Sequence, residues 1–227
     1  MNQHPDRATA AAGLAQTARD LYRRGWMDGT AGNLSVRLAE PAHAALITAS
    51  GRSKGSLTAQ DTVAVDTATG HPLEPGGPPP SAETSIHAAV YRTVPGSGAV
   101  VHAHPPHATA VAVLAARDQQ DAVRFTDLEV IKGLAVPDPA AISVPVFTNW
   151  PDVAVIGSDV AAYLTTNRSG IPPVLLIAYH GATAWGPTLD VARNRLECLE
   201  ALCQLLLLTG QYPARTEHAS PMRLRGA

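Results

Sequence analysis

Hydrophobic positions along this chain repeat with two periods, and each change of period marks a new element. From Ala8 to Arg24, Leu14, Ala15, Ala18, Leu21 and Tyr22 return every three or four residues, which lines one face of a helix; Gly25 follows as a stop. After a turn at Gly29-Thr-Ala-Gly32, the run Asn33-Leu-Ser-Val-Arg-Leu38 alternates polar and apolar, as a half-buried strand does. Ala44 to Thr48 and Thr62 to Asp66 read as two more short strands, with the loop Ser50-Gly-Arg-Ser-Lys-Gly55 between them and a hairpin turn at Thr67-Ala-Thr-Gly70. Pro75-Gly-Gly-Pro-Pro-Pro80 excludes helix and central strand, because proline has no amide hydrogen to give either ladder.

Ser81 is a good N-cap for a helix with Ile86, Ala89, Val90 and Thr93 on one face. Gly98 to His104 reads as a buried strand ended by Pro105-Pro106, with a helix from Ala108 to Ala116 behind it. Ile142 to Phe147 is a strand, Asp152 to Thr166 a helix, Pro173 to Tyr179 a second buried strand, and Leu189 to Thr209 a long leucine-rich closing helix. The pattern over Glu129 to Lys132 fits a short helix or a strand equally. No repeat or linker divides the chain, so a single α/β domain is expected over residues 1–210, its central sheet mostly antiparallel with helices on both faces. Gln211 to Ala227 has little periodicity and is expected to be a mobile tail.

Composition narrows the function classes. Among 227 residues, 45% are hydrophobic, and 17 basic residues stand against 19 acidic ones. That balance lacks the basic stripe of a nucleic-acid binder and the charge excess of a disordered chain. No apolar run reaches the ~18 residues of a membrane span, and the start from Met1 to Arg7 has no apolar stretch like that of a secretory leader. Cys198 and Cys203 lie five apart in one expected helix, on faces poorly placed for a disulfide, so a cytoplasmic protein with reduced thiols is expected.

Nine histidines are the unusual feature. His102 and His104, two apart in a strand, point to one face at a rim where Pro105 breaks the strand, and two such imidazoles can reach one metal ion. His180 stands at the end of a second apolar strand, with Gly181 allowing a sharp turn behind it. Three imidazoles from two strand ends are the ligand set of an open catalytic zinc site. The loops Ser50 to Gly55 and Gly29 to Ser35, with Ser81 at a helix start, offer hydroxyls and backbone N–H groups suited to a phosphate. Of the carboxylates, Glu83 reads first as a helix-dipole partner, and Glu129, beside Val130-Ile131, as a surface charge or a tuned acid or base. His87 reads as a structural histidine and His107 as a weaker fourth ligand. Trp26 and Trp150 read as packing residues, and Trp185 as one near enough to His180 to line a pocket.

The runs Gly32-Asn-Leu-Ser35, Thr48-Ala-Ser-Gly51, Pro80-Ser-Ala-Glu83, His102-Ala-His104 and His180-Gly181, in this order, resemble the class II aldolase/adducin superfamily of metal-dependent sugar-phosphate enzymes. The resemblance extends from about Ala12 to Thr209. Gly25-Trp-Met-Asp-Gly-Thr-Ala-Gly-Asn33, Glu129-Val-Ile-Lys132 and His180-Gly-Ala-Thr-Ala-Trp-Gly186 are similar to runs in the dehydratases of methionine salvage within it. The resemblance implies a three-layer fold and one zinc ion per subunit on His102, His104 and His180. It implies Glu129 as the catalytic acid/base, and Asn33, Ser50, Gly51 and Ser81 as phosphate contacts. It implies a cyclic homotetramer with active sites between subunits. The reaction implied is loss of water from a 5-methylthio 2-ketose 1-phosphate. Where the aldolases often carry a second serine this chain has Ala82, which leaves that phosphate contact to a backbone N–H or removes it. Glu83 matches the aldolases' acid/base, so an aldolase or epimerase acting on fuculose or ribulose phosphate is the alternative. A non-catalytic scaffold of the same fold would be expected to lack the three histidines.

Overall fold

A computed structural model describes residues 4–136, 138–167 and 170–212. Among these the order is α1 (Arg7–Arg23), β1 (Asn33–Arg37), β2 (Ala44–Thr48), β3 (Thr62–Asp66), α2 (Thr84–Thr93), β4 (Ala99–Ala103), α3 (Pro106–Arg117), β5 (Ala122–Thr126), β6 (Ala141–Phe147), α4 (Val153–Thr166), β7 (Val174–Ile177), β8 (Gly181–Gly186) and α5 (Leu189–Leu208). Short 3-10 turns lie at Lys54–Ser56 and Glu129–Leu134. The second of these is the segment whose pattern suited helix and strand alike.

The strands form one sheet in the order β3-β2-β1-β4-β8-β7-β6-β5. Every neighbouring pair is antiparallel except β6 with β7, whose connection runs through α4. One face packs α1, α3 and α5 over a core that includes Leu14, Leu21, Val101, Val111, Leu176 and Leu196. The other face packs α2 and α4 over Ile47, Val65, Ile86, Val100, Val160 and Ile177. Alternate residues of β4 therefore enter different cores, and His102 shares the α2 side with Val100. Side-chain caps start three helices: Asp6 accepts from the Thr9 amide at 2.8 Å, Asp152 from Ala154 at 2.9 Å and Thr188 from Val191 at 3.3 Å. Both cysteines are free, and no described helix is long and apolar enough to cross a membrane.

Five expectations need correction or limiting. The second helix starts at Thr84, and Ser81 does not cap it. Pro80 bridges Ala49 and the Pro79 carbonyl accepts from the Ser50 amide, so the chain stays extended at the end of β2 and must turn before it can coil. That turn leaves Glu83 at the helix mouth. The apolar run ending near Tyr179 is strand only to Ile177, and β5 and β8 had no place in the expected order. In β8, Gly-Ala-Thr-Ala-Trp-Gly is buried on both faces, so it has no alternation to read. Trp150 does not pack inside; it is 43% exposed and its indole N–H bonds Asp159 at 2.9 Å. The tail expected from Gln211 onward falls, after Tyr212, outside the described residues.

Candidate active site

The site forms where β1, β4 and β8 lie side by side. In the sheet register Asn33 pairs with His102, and His102 with Thr183, so three polar side chains line up across neighbouring strands on the α2 face. Pro105 ends β4, and His104 just past the strand is anchored by its amide to the Trp26 carbonyl at 2.8 Å. His180 does not end a strand. It sits in the tight turn from β7 to β8, where Tyr179 takes a left-handed φ of 56° and the His180 amide closes on the Ile177 carbonyl at 3.1 Å. Glycine next to it is obligatory: a Cβ on Gly181 would stand 2.5 Å from the Ala103 carbonyl oxygen and 2.7 Å from the His104 ring. This close approach sets His180 against the pair on β4.

The three ring centroids are 4.8 to 5.1 Å apart, and one nitrogen of each ring lies within 4.8 Å of the others. The outer nitrogens of His102 and His180 are already engaged. His102 Nδ1 meets the Thr183 hydroxyl at 2.9 Å, and His180 Nδ1 faces Asn149 Oδ1 at 3.3 Å. The Nε2 atoms turn inward; those of His102 and His104 are 3.2 Å apart. Glu83 reaches the same centre from the mouth of α2, Oε1 at 2.8 Å from His180 Nε2 and Oε2 at 3.3 Å from His102 Nε2. An imidazole nitrogen and a carboxylate oxygen at such distances share either a proton or a metal cation between them. The donor set therefore fits a divalent metal ion. Burial pushes His102 down to about 3, and burial with the neighbouring His180 lowers His104, so both rings are neutral and ready to ligate near pH 7.

Burial by itself would raise the Glu83 carboxyl, but attraction to His102 and hydrogen bonds from His180 and Asn33 outweigh it and hold the group well below the ordinary carboxylate range. The sequence's first reading of Glu83 as a dipole partner missed this, because only the turn after Pro80 aims it inward. A cavity of about 290 Å³ opens from the cluster, walled by Ser50, Gly51, Ser81, Ala82 and Lys54 with Asn33 at its floor. The sequence singled out all of these except Lys54, which it saw only as one of two loop cations. Lys54 is 2% exposed, and its ammonium donates to the Thr30 and Arg52 carbonyls at 2.8 and 2.9 Å. Burial lowers it to about 8 against a partial pull upward from Glu83.

Other candidates lie elsewhere. His107 is no fourth ligand: its ring and amide bond Glu200 of α5, at 2.8 and 3.1 Å, in a carboxylate cap on α3. Trp185 is buried in the core under α2 and α4 and lines no part of this cavity. Glu129 is on the surface, its side chain 82% exposed and paired with Lys132 at 2.8 Å. It is not among the residues that wall the cavity.

Residues 12–207 match the family model described as the class II aldolase and adducin N-terminal domain. The chain is 52% identical over 213 residues to a Nocardia farcinica protein named a probable bifunctional methylthioribose-1-phosphate isomerase/methylthioribulose-1-phosphate dehydratase, covering 93% of this chain and 37% of that longer one. It is 40% identical over 200 residues to a Microcystis aeruginosa protein named methylthioribulose-1-phosphate dehydratase, covering 87% of this chain and 95% of the relative. Among solved structures, the L-fuculose-1-phosphate aldolase of Thermus thermophilus superposes with a TM-score of 0.68 at 31% identity, over 95% of this chain and 98% of the other. With the family model matched over most of its length and a relative 40% identical across nearly all of that relative, the chain belongs to the class II aldolase and adducin N-terminal domain family.

Proposed function

We propose that the protein is a zinc-dependent methylthioribulose-1-phosphate dehydratase of methionine salvage, acting in the cytoplasm. The observation that carries this reading is the convergence of His102, His104 and His180 with Glu83 at the floor of a cavity whose walls suit a phosphate. The two relatives named as this dehydratase support the choice of substrate.

His102, His104 and His180 would hold a divalent metal ion, which would supply Lewis acidity beside the substrate's carbonyl. The chain's residues do the rest. Ser50, Gly51 and Ser81 hold the phosphate, and the Lys54 ammonium adds the charge that matches it. Asn33 has one amide hydrogen left for that role, since its oxygen and its other hydrogen serve His87 and Glu83. Fixing the phosphate aims carbon 3 at the Glu83 carboxylate, which takes its proton. A second carboxyl protonates the hydroxyl leaving carbon 4; water departs, and the enol left across carbons 3 and 4 relaxes to the 2,3-diketone. Glu129 is that second acid. Its exposure fits a group that completes the site of a neighbouring subunit in a homotetramer.

A sugar-phosphate aldolase or epimerase is the second reading, favoured by Glu83 standing at the metal-site floor and by the 31% identity to a fuculose-phosphate aldolase. Purified protein given methylthioribulose 1-phosphate, fuculose 1-phosphate and ribulose phosphate in parallel separates the two. Diketone product from the first substrate alone is expected, with about one zinc per chain. Glu129→Gln is expected to lower its kcat by about 10²–10⁴-fold, the usual worth of a positioned acid. Retro-aldol cleavage of fuculose phosphate, with Glu129→Gln unaffected, would favour the aldolase.

A further inference from the structure

Behind Glu83 lies a line of buried polar side chains that metal and phosphate binding leave unexplained. Along α2, Glu83, His87 and Tyr91 recur every fourth residue; along β1, Asn33, Ser35 and Arg37 recur every second. Four residues of helix rise about 6.0 Å and two of strand about 6.6 Å, so the two rows keep in step and interleave. The Asn33 amide bonds Glu83, and Asn33 Oδ1 meets His87 Nε2 at 2.6 Å. His87 Nδ1 meets the Ser35 hydroxyl at 2.7 Å, and that hydroxyl meets the Tyr91 hydroxyl at 2.7 Å. Arg37 locks the far end, donating to the Tyr91 carbonyl at 2.6 Å with its guanidinium 4.7 Å from the ring centre.

The direction of every bond follows from the first. A carboxylate only accepts, so Asn33 donates to Glu83 and its oxygen must accept. His87 then donates from Nε2. Burial lowers its pKa to about 4, so the ring is neutral and its Nδ1 is an acceptor. Ser35 must donate to Nδ1, which leaves its oxygen to accept from Tyr91. Burial raises the Tyr91 phenol far above its ordinary value, so the last donor keeps its proton.

We infer that Tyr91, Ser35 and His87 are positioning residues: acting through Asn33, this one-way chain of donors holds the Glu83 carboxylate at the angle from which it serves the reaction. The inference rests on the reading of Glu83 as the proton acceptor. None of the three touches the cavity.

Tyr91→Phe keeps the shape and removes only the terminal donor. In zinc-loaded protein it is expected to lower kcat on the order of tenfold, one strengthened hydrogen bond at the reacting carboxylate, with KM unchanged. The loss should vanish in an Asn33→Ala background, where the chain is already cut. Ile86→Val, a buried change on the same helix, reports what loosened packing costs and should leave kcat unaltered. Independently of activity, nitrogen NMR of the metal-free protein should find His87 neutral, with its hydrogen on Nε2, at pH 7. A Tyr91→Phe kcat equal to that of Ile86→Val, or a His87 hydrogen on Nδ1, overturns the inference. Should the wild type fail to dehydrate methylthioribulose phosphate, the reading of function falls, while the ring tautomer still decides the direction of the chain.

Discussion

Single side chains set the chemistry of this site through what lies behind them. Thr183 is not among the residues that wall this cavity, yet its hydroxyl fixes the ring of His102. Thr183→Val should leave the sheet intact and weaken metal binding by about 10–100-fold, the usual cost of losing a partner behind a ligand, as a competitive chelator titration would measure. Lys54 makes a sharper case, because its charge is disfavoured by burial and needed by a phosphate. A phosphate dianion favours the ammonium, so substrate should bind with proton uptake and its KM should rise as pH passes about 8. Lys54→Met should raise KM about tenfold below that pH and flatten the dependence, checked by initial rates from pH 7 to 9. Stability has the opposite sign. Between about 8 and the ordinary lysine value of 10.5 the unfolded chain holds the extra proton, so the urea-derived stability of the wild type should rise with pH relative to Lys54→Met across that window.

At the scale of elements, the β7–β8 hairpin acts as the device that delivers His180 to the histidine cluster. Its turn depends on Tyr179 in a left-handed conformation and on Gly181 packed against the end of β4. Gly181→Ala would drive a methyl group into the Ala103 carbonyl, which is backbone and cannot step aside. We expect about 1–3 kcal/mol of destabilisation, read from thermal melts of metal-free protein, together with weaker metal binding because His180 shifts with the turn. The opening of α2 is the matching device for Glu83. The bridge from Ala49 to Pro80 delays the helix start to Thr84, and the turn so formed swings the carboxylate toward the rings.

For the whole molecule, Glu83 and Glu129 are separated by place. One is buried at the histidine cluster, and the other is exposed and paired with Lys132. If Glu129 completes a neighbouring subunit's site, then His102→Ala and Glu129→Gln, each inactive alone, should regain part of the wild-type rate when unfolded and refolded together. Separately refolded controls should stay inactive; a mixture with no more activity than those controls would assign Glu129 to its own subunit or to no site.

The local pattern carried much of this protein, because periodicity is a property of chain neighbours. It marked α1, β2, β3, α4 and α5 nearly to the residue, and proline and glycine marked where β4 and its histidines end. The His102-x-His104 pair on one face and the His180-Gly181 step were legible for the same reason. Other features depended on which strands lie side by side. β8 is a strand because β4 and β7 flank it, and its small buried residues carry no signal of that alone. The meeting of His180 with His102 and the row Asn33–His102–Thr183 follow from non-local pairing of β1, β4 and β8, and the inward turn of Glu83 follows from the bridge between Ala49 and Pro80. Backbone hydrogen bonds between segments distant in sequence fix that order, and they brought together polar groups that the sequence scatters over 150 positions, from Asn33 to Thr183.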